Sequence, residues 1–206
     1  MDCFSPELVQ IIGQEEISQL QFPCLHDDYK IYVLPHANLD VELLKSFLMT
    51  KTLNTIRTTH EFYQMRILHP WETSFTDAFL TCILKVMNCN PSHISQMIVR
   101  EYSEHHYNDV TYPNLVSPIQ SYIPQESEKY NCFTIYTFLS DFLDGNGGHI
   151  YFPKLGLRIR AEKGKSILIF NTTNDGDTIM ESMCGVSVVT SGEIKIMETS
   201  IRILLN

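Results

Sequence analysis

Three places in the chain carry side chains able to bind a metal or move a proton. The run Ser103-Glu104-His105-His106-Tyr107-Asn108-Asp109 is rich in histidine and acidic residues. His26-Asp27-Asp28 spaces an imidazole and a carboxylate two residues apart, and His149 closes Gly147-Gly148-His149. Each has a simpler reading. Three-residue patterns of such common types arise by chance, so His26-Asp27-Asp28 reads as a polar loop, and 103–109 reads as an exposed polar hairpin. There are six cysteines, none in a CxxC pair and most in apolar surroundings. That usage suits buried free thiols in a reducing compartment, although a thiolate can also ligate iron.

The elements that must position these groups are mainly strands. Cys132 to Phe170 reads as strand, Gly-rich turn, strand, turn, strand. Phe133, Ile135, Thr137 and Leu139 alternate with Thr134, Tyr136 and Phe138, a nearly all-apolar run that suits a strand covered on both faces. Asp144-Gly145-Asn146-Gly147-Gly148 supplies residues that tolerate positive φ. Ile150-Tyr151-Phe152 is a short strand stopped by Pro153, which cannot donate to a ladder. Upstream, Ser5-Pro6-Glu7 opens a helix, Ile31 to Leu34 is a strand, and Asn38-Leu39-Asp40 opens a helix through Leu48. Residues 50–59 read as loop, Phe62 to Leu68 as strand, and Phe75 to Met87 as an amphipathic helix. Asn90-Pro91-Ser92 breaks the chain before a strand at Gln96 to Tyr102. Residues 117–131 read as a surface loop. Two strands close the chain, at about 186–189 and 193–205, the second interrupted.

The segment YTFLSDFLDGNGGHIYFPKLGLRIRAEKGKSILIF resembles the core of the prolyl 4-hydroxylase-type iron(II)/2-oxoglutarate dioxygenases. That family pattern is an apolar strand ending in Tyr-Leu-Asn, a Gly-Gly-Glu-Thr turn, an aromatic-Pro pair, a basic strand, Lys-Gly, and an apolar strand ending in Phe-Asn. The resemblance implies an α+β, mainly β fold. It is a double-stranded β-helix (jelly roll, cupin-like) with N-terminal helices packed on one sheet. It also implies one domain over 1–206, with a helical support region at 1–90 and a jelly-roll core at 96–206. The implied cofactors are iron(II) and 2-oxoglutarate, held by two histidines, one carboxylate and a deep cation.

Position by position, this chain departs from that pattern. The family's first His-x-Asp falls on 103–109, where His106 puts Asn108 in the acidic position and Asp109 lies one residue further on. Asp109 reaches the metal side only if the strand bulges. In CGVSVVTSGEIKIMETSI, the second histidine position falls on Cys184 and the family's arginine position on Glu198. The resemblance therefore implies His106, Asp109 and Cys184 as the metal set. Arg202, four residues beyond Glu198, becomes the substitute cation, ahead of Lys195, Arg158 and Arg160. Phe138 stands where the family's 2-oxoglutarate-contacting tyrosine would be and lacks its hydroxyl. His149 replaces a glutamate that is not a ligand in the family.

Composition narrows the function classes. With 206 residues and 44% hydrophobic content the chain can bury one sizeable core. No apolar run approaches the ~20 residues of a spanning helix, and the N-terminus shows no secretory signal pattern, so a cytoplasmic protein without membrane contact is expected. A net charge of −9 with no long basic stretch argues against nucleic acid as partner. A scaffold kept while its chemistry has drifted points to a dioxygenase-fold pseudoenzyme that works through a protein partner. It could obstruct a hydroxylase, as a viral host-interaction factor would. The alternative is an active iron(II)/2-oxoglutarate oxygenase that hydroxylates a protein side chain.

Overall fold

The structure is a computed structural model. It describes residues 31–34, 41–58, 61–69, 79–81, 84, 90–111, 130–141, 145–173 and 175–204. The expected helix after Ser5, the His26-Asp27-Asp28 loop and most of the 117–131 loop lie outside them.

Eleven strands carry the fold among these residues, with one complete α-helix, helical residues at 79–81 and 84, and two short 3-10 turns at Pro91–His93 and Met180–Ser182. Helix α1 spans Val41–Leu48. The early strands are β1 (Ile31–Leu34), β2 (Asn54–Arg57), β3 (Glu61–Leu68), β4 (Ile94–Tyr102) and β5 (Tyr107–Thr111). The central stretch supplies β6 (Tyr130–Phe138), β7 (Ile150–Phe152), β8 (Leu157–Ile159) and β9 (Ser166–Phe170). Strands β10 (Cys184–Val186) and β11 (Ile194–Leu204) close it. Their order is β1-β9-β6-β11-β4-β3-β5-β10-β7-β8, with β2 on β3 and all pairings antiparallel. The path rolls up so that β5, β10, β7 and β8 cover one face of the rest. This is the double-stranded β-helix expected from the sequence.

Strand alternation sorts the side chains into two cores. One face of β6 and β11 turns Tyr136, Phe138, Ile194 and Ile196 into the barrel. There they meet Ile150, Phe152, Ile159, Cys184 and Val186 from the opposing strands. The other face turns Phe133, Ile135, Met197 and Ile201 outward, under Leu44 and Leu48 of α1 and the helical residues Phe79, Leu80 and Leu84. Strand β6 is thus covered on both sides, which is why its sequence is almost continuously apolar. Its buried Thr134 and Thr137 hydroxyls are satisfied by Asn171 Nδ2 at 2.7 Å and Ser166 Oγ at 2.8 Å.

Two local expectations are corrected. Residues 54–57 form β2 rather than loop. That strand is held by its ladder to β3 and is mostly exposed, so it leaves little hydropathy signal. The strand expected at 186–189 lies at 184–186, and Val188 is exposed. Strand β11 is one strand over Ile194–Leu204, and the interruption expected in it takes the form of a register shift against β4 between Ser200 and Ile201, while Glu198, Thr199 and Ser200 are buried.

The outer face also carries a charge cluster that spans three strands. Glu101 on β4 lies opposite Lys195 on β11, with Nζ at 2.7 Å, and accepts a hydrogen bond from Arg66 Nε on β3. Burial opposes ionisation of Glu101, but the hydrogen bonds from Lys195 and Arg66 outweigh it and hold its pKa below the ordinary 4.5. A carboxyl depressed on folding stabilises the native state above its unfolded pKa, and that contribution is lost as pH falls through the folded value. Glu101→Gln should therefore lose about 1–3 kcal/mol at pH 7, through a weakened anchor for two cations. It should also show a shallower loss of stability than the wild type as pH falls below about 4.5. Urea midpoints measured across that range check both.

Candidate functional site

The polar centre of the barrel is a buried ion pair. Glu198 projects inward from the middle of β11 and is 2% exposed. Its Oε2 lies 2.9 Å from Nη2 of Arg100 on the neighbouring β4. Nη1 of Arg100 donates to the Tyr63 hydroxyl at 3.2 Å, and the guanidinium lies over the Tyr63 ring at 4.9 Å. Ile98, Arg100 and Tyr102 share one face of β4 by alternation, and Tyr136 is the register partner of Glu198 on β6. The pair is therefore walled by three tyrosines. Burial holds Arg100 back, but the carboxylate of Glu198 more than compensates and keeps the guanidinium firmly charged. Burial also pushes the phenols of Tyr102 and Tyr136 above their ordinary values.

Cys184 enters this nest from the opposing strands. Its thiol donates to the Tyr136 hydroxyl at 3.8 Å and is 4% exposed. Burial pushes the thiol pKa up to about 12, against the hydrogen bond shared with Tyr136 and with help from the charge on Glu198. Such a thiol is protonated and inert as a nucleophile at neutral pH. The space between Arg100, Tyr102, Tyr136, Ile150 and Cys184 amounts to about 10 Å³, room for roughly one water.

The rim is built from main chain. Residues 187–190 carry no ladder of their own and are tied on both sides. On one side Val189 N donates to His106 O and His105 N donates to Val189 O. On the other, Ser187 N donates to His149 O, Gly148 N to Ser187 O and Thr190 N to Asn146 O. Gly147, at φ 80°, passes so near that a Cβ there would lie 1.8 Å from the Val188 carbonyl oxygen. Only glycine fits. His105 also takes positive φ, 67°, at the turn that returns the chain into β5.

The residues singled out in the sequence are mostly not brought together. His106 is buried, with Nδ1 accepting from Ser103 N at 3.1 Å and its ring 4.1 Å from Phe62. Phe62 alternates with Tyr63 along β3, so His106 packs on the face away from Arg100. Asp109 lies in β5, where the register against β10 shifts between the Cys184–Thr111 and Val186–Asn108 pairs, and its side chain lies outside those described. Arg202 pairs with Cys132 and Phe138 with Ile196, six register steps apart, or roughly 20 Å. No group of three His, Cys, Asp or Glu side chains able to hold a metal converges among the described residues. Cys184 and Glu198 do reach the barrel centre.

Strand order and helical cover define a fold, the double-stranded β-helix that solved prolyl hydroxylases and other 2-oxoglutarate oxygenases share. Similar solved structures include a viral collagen prolyl hydroxylase from Paramecium Bursaria Chlorella virus-1 in its 2OG complex. It is 20% identical, with 87% of this chain and 98% of that one covered and a TM-score of 0.62. A Pseudomonas putida prolyl-4-hydroxylase is 12% identical over 84% of this chain and 92% of that one, with a TM-score of 0.57. A Trichoplax adhaerens prolyl hydroxylase, in complex with a hypoxia inducible factor oxygen degradation domain peptide fragment, is 9% identical over 93% and 92%, with a TM-score of 0.60. At these identities the likeness is one of fold. No family model and no curated protein matches the chain.

The described residues do not fit the iron and keto acid that this fold houses elsewhere. Among them, the cation at the barrel centre is already paired with Glu198, the thiol is held protonated by burial, and the space beside them has room for about one water. The sequence reasoning missed Arg100, Tyr63 and Tyr136. A signal was there: Arg100 alternates with Ile98 and Tyr102 on one face of its strand, and a charge on such a face needs a partner. Removing one partner should cost far more than removing both. Arg100→Met alone should lose about 3–5 kcal/mol, because it leaves a buried carboxylate uncompensated. Arg100→Met combined with Glu198→Leu should fall close to the wild type or above it. Denaturant midpoints of the three proteins decide this.

Proposed function

We propose that this protein is a non-catalytic user of the dioxygenase fold, acting inside the cell by binding a protein partner. The observation that carries the reading is the Glu198–Arg100 pair. An oxygenase needs an open metal face and an unspent cation for the far carboxylate of its keto acid. Here that cation meets a carboxylate supplied by the chain itself. What remains available for function is surface, on a scaffold that carries a net charge of −9 and suits a protein partner better than a phosphate backbone. The viral source of one similar hydroxylase is in keeping with a host-interaction role.

Two measurements test this. Purified protein mixed with manganese(II) or iron(II) and 2-oxoglutarate should show no rise in Tm and no succinate release. Stoichiometric metal together with keto-acid-dependent stabilisation would overturn the reading. The partner half predicts that proteins recovered with the wild type are also recovered with the Arg100→Met/Glu198→Leu double variant, because the partner reads the surface. Partners lost with that variant would mean that the barrel centre takes part in recognition.

A further inference from the structure

We propose that Glu198 is a built-in carboxylate ligand of a carboxylate-binding pocket whose other parts are intact. This inference rests on the non-catalytic reading and says what silences the site. Arg100 presents a planar fork of donors, the geometry that suits a carboxylate. Nη2 is met by Glu198 at 2.9 Å and Nη1 by the Tyr63 hydroxyl at 3.2 Å. Nε is buried and has no hydrogen-bond acceptor among the described residues. A buried guanidinium with a donor to spare has capacity for a further oxygen.

The surroundings favour an anion of that size. Arg100, Tyr102, Tyr136 and Cys184 line the small space beside the pair, and Ile150, Val186 and Ile196 supply its apolar wall. Glu198 reaches the Arg100 guanidinium, which lines this space, from a strand paired on both sides, so its carboxylate is delivered by the backbone of β11. Truncating that side chain to a methyl group opens the volume of the lost carboxymethyl group beside the Arg100 guanidinium, which itself borders a space large enough for about one water. The guanidinium then remains in a dry site without its counter-charge. A free monocarboxylate such as formate or acetate restores both the charge balance and the packing.

The experiment compares Glu198→Ala with the wild type and with the Glu198→Ala/Arg100→Met double variant. Thermal melts are run in rising sodium acetate, and separately formate, with ionic strength held constant by chloride. The expected result is a low Tm for Glu198→Ala in chloride that climbs by several degrees and saturates with carboxylate, while the other two proteins stay flat. A response in Glu198→Ala no larger than in the other two overturns the inference. If Glu198→Ala does not fold in chloride, refolding yield is measured in acetate against chloride. Folded protein recovered only in acetate supports the pocket, and equal recovery or equal failure in both salts overturns it. A negative result here leaves the non-catalytic reading standing. Metal-dependent keto-acid binding by the wild type removes that reading whatever the variants do.

Discussion

A charge cannot stand alone in a dry barrel, and the centre of this one obeys that constraint. Desolvating a carboxylate costs several kcal/mol even after relaxation, so a buried Glu198 requires Arg100 on the next strand. Pairing them fixes the register of β11 against β4. That register in turn places Tyr136 across from Glu198 on β6, and the fork of Arg100 engages Tyr63 on β3. Four adjacent strands are thus constrained through one interaction. A second pairing works on the opposite face, where Glu101 joins Arg66 and Lys195. The neighbours Arg100 and Glu101 send opposite charges to opposite sides of one strand, and each finds its complement on adjacent strands.

Much of the fold was legible because each segment's pattern matched its surroundings. Strand β6 reads as doubly buried and is so, and the turn glycines stand where the chain reverses. The exceptions share a cause: pairing that leaves no trace in hydropathy. Strand β2 is held by ladder hydrogen bonds and is mostly exposed. The polar middle of β11 continues the strand because its backbone is paired on both sides and Glu198 meets Arg100 on β4, which linear pattern cannot show. Segment 187–190 has the composition of a strand but spends its backbone on two flanking turns.

The site was legible in half. Motif position brought Cys184 and Glu198 to the barrel centre. It gave no guide to Arg100, whose role depends on a neighbour about a hundred residues away. Arg202 was favoured for sharing a face with Glu198, but a shared face on an extended strand still leaves a separation of roughly 13 Å at four residues. His106 was read from its neighbours in sequence, whereas its ring is fixed by Phe62 on a different strand.

The mouth of the barrel is closed by peptide groups rather than by side chains. Most of the bonds that tie 187–190 to both flanking turns run main chain to main chain, with the Ser187 and Thr190 hydroxyls adding one each, and Gly147 permits the closest approach by having no side chain at all. Shape at that opening therefore depends little on the side chains that face outward from it. Val188, exposed at the crest, can vary in chemistry without the frame moving. The fold has separated the part of its surface that may diverge from the part that holds it shut.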